Sequence, residues 1–351
     1  MTLIIFILIL GLIIFIHEFG HFIMAKKHGI YVYEFSLGFG PKLFSFHRKN
    51  DETEYMIKLI PLGGYVMLAG ETDEDDKKVK DNQKLCNKSF LQKMSVMVAG
   101  VFNNFVLGFI LIFILALIYG TEFATTKLYD MPKDYPLYQA GARNGDVITK
   151  INGKSVRNYD DIQTMLAIAN EGNNKKISIT VKKAKENKEE TYKVEPKLNE
   201  EDNTYYYGIS IKLEKGKGFF DVVRYSFGKF ISIFKSLIRV IGSLFSGKLT
   251  INSLTGPVGI YKVVGEASKS KMAIYSLLYL TAYLSINVGF MNILPFPAFD
   301  GGQAFLLIIE KITGKKISMK IKSIINSVGF ALLMLLMVYV TIKDVFRIFK
   351  G

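Results

Sequence analysis

The chain has one cysteine, Cys86, among its 351 residues. That excludes an intrachain disulfide and any metal site built on several thiolates, and Cys86 itself reads as inert. Proline is scarce too, with eight in all, and two of them stand two apart at Pro295 and Pro297. No internal repeat is present. The net charge of +14 comes without a compact basic motif interleaved with aromatics, which sets nucleic acid aside as a partner. Its lysines are spread through loops, a pattern suited to anionic lipid headgroups. No Lys or Arg precedes the apolar run that opens at Leu3, and no small-residue cleavage site follows it. The segment is therefore expected to be a retained membrane helix rather than a removed signal peptide.

What is abundant is apolar sequence in blocks: half of the residues are hydrophobic and 22% are charged. Four blocks reach the roughly 20 residues a bilayer requires. They are Leu3–Ala25, Ser95–Tyr119, Ala273–Leu294 and Ile324–Ile342. A fifth, Phe219–Phe245, is broken by Arg224, Lys229, Lys235 and Arg239 at spacings of four to six. It reads as an amphipathic helix on the membrane surface. The expected fold is a polytopic α-helical membrane protein with about four spans, a small β element and an inserted α/β domain. Its parts are 1–120 with the first two spans, the inserted domain at 121–213, a membrane-surface segment at 214–272 and the last two spans at 273–351.

Between the first two spans, Tyr31–Pro41, Tyr55–Ile60 and Pro61–Val66 read as short strands joined by turns. An edge strand there is one place to hold an unwound substrate, although structural turns are the plainer reading. Glu71–Asp81 is a mixed-charge run expected as a solvated loop. His28 and His47 read as ordinary loop histidines. In the inserted domain, Ala140-Gly141, Gly145-Asp146-Val147-Ile148 and Ile151-Asn152-Gly153 make a turn, a strand and an Asn-Gly hairpin. That segment resembles a PDZ domain, a module that adds an extended peptide to a sheet edge. Loop charge gives an orientation: Lys311, Lys315, Lys316, Lys320 and Lys322 face one acid, Glu310, and Lys26 and Lys27 follow the first span. These loops read as cytoplasmic, which puts the inserted domain outside, although Lys343, Arg347 and Lys350 weigh the other way.

The chemistry concentrates in His17-Glu18-Phe19-Gly20-His21, inside the first apolar block. On a helix the two imidazoles are one turn apart and can share one Zn²⁺, with Glu18 placed to take a proton from a water on the metal. Ionisable residues at membrane depth are costly, so three in five positions call for a function. A third ligand is needed, and Asp300 is the best candidate. It follows Asn292-Ile293-Leu294-Pro295-Phe296-Pro297, where the prolines must unwind the backbone. Asn292 either hydrogen-bonds substrate or a developing oxyanion, or satisfies backbone freed by the prolines.

Together the two segments resemble the site-2 protease family of intramembrane zinc metalloproteases. That family pairs His-Glu-x-x-His with Asn-x-x-Pro-x-Pro-x-x-Asp-Gly, and both are complete here. The resemblance implies His17, His21 and Asp300 as zinc ligands and Glu18 as general base; Asn292, Pro295 and Pro297 are candidate substrate-binding residues. Ala99-Gly100 with Asn104-Phe105, and Thr255–Ile260, extend it along nearly the whole chain. Val101 stands where the family usually has proline, and Phe299 where it has leucine. The implied function is cleavage within single-span membrane proteins, such as anti-sigma factors or remnant signal peptides, after a first cut outside the membrane. The implied place is a bacterial plasma membrane. Two rival readings are a membrane-bound PDZ scaffold with a vestigial zinc site, and a metal transporter. The first should have lost Glu18 or Asp300, and the second needs polar residues through several spans, of which spans two and four are nearly devoid.

Overall fold

A computed structural model of the chain describes residues 1–71, 79–171, 175–186, 188–199 and 204–349; most of the mixed-charge run Glu71–Asp81 therefore lies outside the described residues. The first apolar block folds as helix α1 (Thr2–Lys27), with Lys26 and Lys27 in its last turn, where cations complement the carbonyl end. Strands β1 (Val32–His47) and β2 (Glu54–Leu68) follow. They are far longer than the short strands expected, because glycines bend them without ending them. Gly38 and Gly40 take φ of 88° and 84°, and Gly63 takes 133°, conformations that side-chain-bearing residues disfavour. The bends let the segment 32–37 pair on both sides, with 64–68 and with 54–57, while 44–47 pair with 54–57. Helix α2 (Phe90–Tyr119) completes the first half.

Contacts divide the chain into two compact units, with the division falling inside α2: Met1–Leu111 with Thr255–Gly351, and Ile112–Leu254. The second unit holds β3 (Glu122–Leu128), the short α3 (Pro136–Gln139), β4 (Val147–Ile151), β5 (Lys154–Ser155) and α4 (Tyr159–Glu171). Strands β6 (Ile177–Lys182), β7 (Glu189–Val194), β8 (Lys197–Asn199), β9 (Thr204–Tyr206) and β10 (Ile211–Lys215) follow. The main sheet runs β10-β3-β4-β6-β7, with β5 hairpinned onto β4. Its tight turn is the Asn152-Gly153 pair, both at positive φ, as a two-residue hairpin of matching twist requires. Leu128, Leu137, Ile148, Ile151, Ile162 and Ile179 form the dry centre of its core.

Helix α5 (Phe219–Phe245) belongs to the second unit. It carries serines and cations toward α4. Lys229 pairs with Asp160 at 2.6 Å, Arg239 with buried Asp161, and Asn158 donates to Ser232 at 2.8 Å. Two of the four cations that interrupt this segment are thus held by protein carboxylates. Phe219, Phe220, Phe227 and Phe245 are exposed. The contacts also split the expected 214–272 segment, since α5 packs on α4 while the next helix packs on α1.

The first unit resumes with α6 (Pro257–Lys269), α7 (Ala273–Ile293), α8 (Asp300–Thr313) and α9 (Met319–Phe349). Helices Thr2–Lys27, Phe90–Tyr119, Ala273–Ile293 and Met319–Phe346 are long and apolar enough to cross a membrane. They coincide with the four expected blocks. Val264 of α6 is buried against Phe6, Ile9 and Ile13 of α1. Small residues bring α2 and α7 together, where a Cβ at Gly108 would lie 2.5 Å from Ile286. Close backbone approach of this kind is how apolar helices associate without a hydrophobic drive between them.

Candidate metal centre

His17 and His21 lie one turn apart on α1, as the four-residue spacing dictates. Their Nε2 atoms are 3.3 Å apart. Asp300 is the first residue of α8, and its Oδ2 sits 3.1 Å from His17 Nε2 and 3.2 Å from His21 Nε2. Among the described residues no hydrogen-bond donor serves that buried oxygen. Three convergent ligand atoms, one of them a carboxylate oxygen without a donor, fit a divalent cation better than a hydrogen-bonded cluster. Two imidazoles and a carboxylate are also the donor set of catalytic zinc, which keeps a further position open.

The local sequence explains how Asp300 arrives there. α7 stops at Ile293, and Leu294–Phe299 run irregularly, with Ala298 at φ 77°. The main-chain N–H of Phe299 donates to Phe296 O at 3.1 Å, so the prolines' missing donors are replaced by a turn. The chain then folds back hard. A Cβ at Gly301 would lie 2.3 Å from Ile293 O, and one at Gly302 would lie 2.3 Å from Phe296 O. Only a glycine pair lets α8 begin this close to the end of α7. Pro297 packs against Gly329 of α9. Asn292 lies in the last turn of α7, and Pro295 is exposed; no hydrogen bond among the described residues joins Asn292 to the cluster.

Glu18 flanks the pair on α1, with its carboxylate in electrostatic reach of His17, His21 and Asp300. Its Cγ lies against Gly64 of β2, where a Cβ would come within 3.0 Å. The segment 64–68 pairs with 32–37 on one side only among the described residues. Its outer edge, where the Leu68 N–H donates to Glu71 at 3.2 Å, carries no second strand and runs past Glu18 at Gly64. On the other flank, Asp300 borders a cavity of about 470 Å³ lined by Gln303, Asn326, Ser327, Phe299 and Phe330.

Helix α2 supplies what the histidine motif could not reveal. Gly20 meets Ala99 and Gly100 so closely that a Cβ on Gly20 would lie 2.4 Å from Ala99 O. His21 Nδ1 lies 2.8 Å from the Val96 carbonyl, and Asn103 donates to Ile16 O at 3.2 Å. Asn104 contacts His17 Nδ1 at 3.2 Å. The sequence did carry a signal, two adjacent asparagines in an otherwise apolar span, although nothing there named their partners. His28 is the capping residue of α1 and meets Ser95 Oγ at 2.8 Å, consistent with a structural part.

The model of peptidase family M50 matches residues 5–336. A Clostridium perfringens protein provisionally named a zinc metalloprotease is 38% identical over 334 residues, covering 95% of each chain. A similarly named Fusobacterium nucleatum protein is 35% identical over 357 residues, covering both chains fully. The Bacillus subtilis "Regulator of sigma-W protease RasP" is 29% identical over 426 residues, covering 99% of each. With the metal geometry already in view, the match along the chain is decisive: this protein belongs to peptidase family M50, the site-2 proteases, and is a zinc metalloprotease.

Proposed function

We propose that the protein hydrolyses peptide bonds within the transmembrane segments of single-span membrane proteins, with zinc held by His17, His21 and Asp300. The observation that carries this is the convergence of His17 and His21, with Glu18 alongside on a helix long and apolar enough to cross a membrane, on Asp300 at the start of α8. Zinc bound there supplies Lewis acidity to the scissile carbonyl and brings the pKa of water toward neutrality. Glu18 takes a proton from the attacking water on a carboxylate oxygen and returns it to the leaving amide nitrogen. An intact helix satisfies its own amides, so the substrate must be extended before it is cut. The edge of 64–67 beside Glu18, which carries no second strand, supports a role in holding that extended segment by strand addition. The cavity beside Asp300, lined by Phe299, Gln303, Asn326, Ser327 and Phe330, leaves room for the extended chain, and Asn292, Pro295 and Pro297 in the preceding segment are the candidate substrate contacts.

Residues 121–213 of the second unit, in this reading, form a PDZ-like domain outside the cytoplasm. It binds a C-terminus left by an earlier cut, or holds back proteins with bulky outer domains. Its hairpin at Asn152-Gly153 and the helix α4 after it support the assignment. The Bacillus subtilis relative is named for regulating a sigma factor, which favours membrane-anchored regulators of that kind, such as anti-sigma factors, over remnant signal peptides. The site faces the cytoplasmic side of a bacterial plasma membrane, following the lysines after α1 and between α8 and α9.

Metal analysis of the purified protein tests the ligand set. One zinc per chain is expected, lost in His17→Ala and in Asp300→Ala. Full zinc retention in both variants would contradict it.

A further inference from the structure

Asn104 has no solvent exposure, and its side-chain Oδ1 is buried without a hydrogen-bond partner. As placed, the amide turns Nδ2 toward His17 Nδ1 at 3.2 Å. The chemistry of a metal-ligating histidine decides whether that orientation stands. His17 directs Nε2 at Asp300 and His21. When Nε2 is the ligand atom, the neutral ring keeps its proton on Nδ1, and that N–H needs an acceptor. An amide nitrogen cannot accept; an amide oxygen can. Turning the amide over exchanges two atoms of nearly identical shape. It places Oδ1 against Nδ1–H and gives the unpartnered oxygen a donor. His21 already follows this rule, with its Nδ1 at 2.8 Å from the Val96 carbonyl.

The surroundings hold Asn104 in place. Its main-chain oxygen accepts from Ser285 Oγ of α7 at 2.8 Å. Across from it, a Cβ at Gly289 would come within 3.3 Å of Asn104 Cβ. The crossing of α2 and α7 therefore closes around the residue and presents its amide to the ring.

We propose that Asn104 is a positioning residue for the metal, whose side-chain oxygen accepts the Nδ1–H of His17 and fixes that ring with Nε2 facing zinc. This rests on the reading of His17 as a ligand. Zinc affinity of the purified full-length protein, measured by competition with a chelator, tests it in wild type, Asn104→Leu, Asn104→Asp and His17→Ala. Removing such a partner weakens metal binding about 10–100-fold. That loss is expected for Asn104→Leu, which matches the volume but cannot accept. Asn104→Asp should stay within a few-fold of wild type, because its carboxylate accepts the same bond. Wild-type affinity in Asn104→Leu would overturn the proposal, as would equal weakening of both variants. Wild-type affinity in His17→Ala would instead show that the ligand reading had failed. A measurement on the unmutated protein covers the case in which Asn104→Leu does not fold. The chain has four histidines, so a long-range proton–nitrogen NMR spectrum of the zinc-loaded, ¹⁵N-histidine protein reports each tautomer. A proton on His17 Nδ1 is expected; one on Nε2 would overturn the proposal.

Discussion

A Cβ added to Gly100 would lie 2.3 Å from His21 Nε2 and 2.8 Å from His17 Cε1. Helix α2 thus shields the two rings with a hydrogen atom where any other residue would press into the ligand position. Overpacking of a fixed site costs about 1–3 kcal/mol, equivalent to about 5–150-fold in affinity. Gly100→Ala is expected to weaken zinc binding by that factor. Gly11→Ala on α1, where a Cβ meets nothing within 4 Å, should bind like wild type. Chelator competition on the two purified variants checks the contrast.

Asp344, buried in α9, accepts from the backbone N–H of Gly256 and Gly259 at 2.8 and 2.9 Å. These are unpaired donors at the start of α6, which a carboxylate both satisfies and complements electrostatically. Asp344→Ala should lower stability by about 1–3 kcal/mol, the cost of orphaning buried donors. Asp344→Asn, which keeps an acceptor oxygen, should lose less. Thermal unfolding in detergent measures both, and equal losses would deny the capping role.

In the second unit, burial works against ionisation of Asp146, yet its carboxyl is held below the usual carboxylate range. Lys183 lies 2.7 Å away, and the N–H groups of Arg143 and Ala184 donate at 3.0 and 3.1 Å. A depressed folded-state pKa gives stability that is fully present above the unfolded value and lost as pH falls through the folded one. The stability gap between wild type and Asp146→Asn should therefore hold steady from neutrality to about pH 4, near the unfolded pKa, and shrink below it. Denaturant unfolding followed across that range tests the sign; a gap that widens on acidification would refute it.

Arg239 of α5 is the partner of Asp161, a carboxylate with 3% side-chain exposure. Truncating it strands a buried charge, which costs about 3–5 kcal/mol. Arg239→Ala should free α5 from α4 and expose its backbone to limited proteolysis, with Arg239→Lys partly restoring protection. Wild-type protease resistance in Arg239→Ala would count against this docking.

Much of the site was legible in the sequence because it is local. His17 and His21 declare their shared face through a spacing of one helical turn, and Pro295, Pro297, Gly301 and Gly302 announce a broken, tightly reversed backbone. The four long helices were legible for the same reason, since apolar length is a property of contiguous residues. Helix crossings were not. Gly100, Asn104 and Ser285 name no partner in the sequence, and acquire their contacts when α2 lies against α1 and α7. Asn326 and Ser327 look like isolated polar residues in span four, yet they border the cavity at Asp300. The partners of Lys229 and Arg239 in α5 were not legible either, because Asp160 and Asp161 lie in a different helix.

The central claim is that Glu18 moves the proton at a zinc held by His17, His21 and Asp300. The most direct measurement compares wild type with Glu18→Gln in cleavage of a tagged single-span substrate, alongside the zinc content of both. General acid–base catalysis contributes about 10²–10⁴-fold, so Glu18→Gln should keep its zinc and lose at least that much activity. A Glu18→Gln protein that binds zinc and still cuts at the wild-type rate would contradict the account.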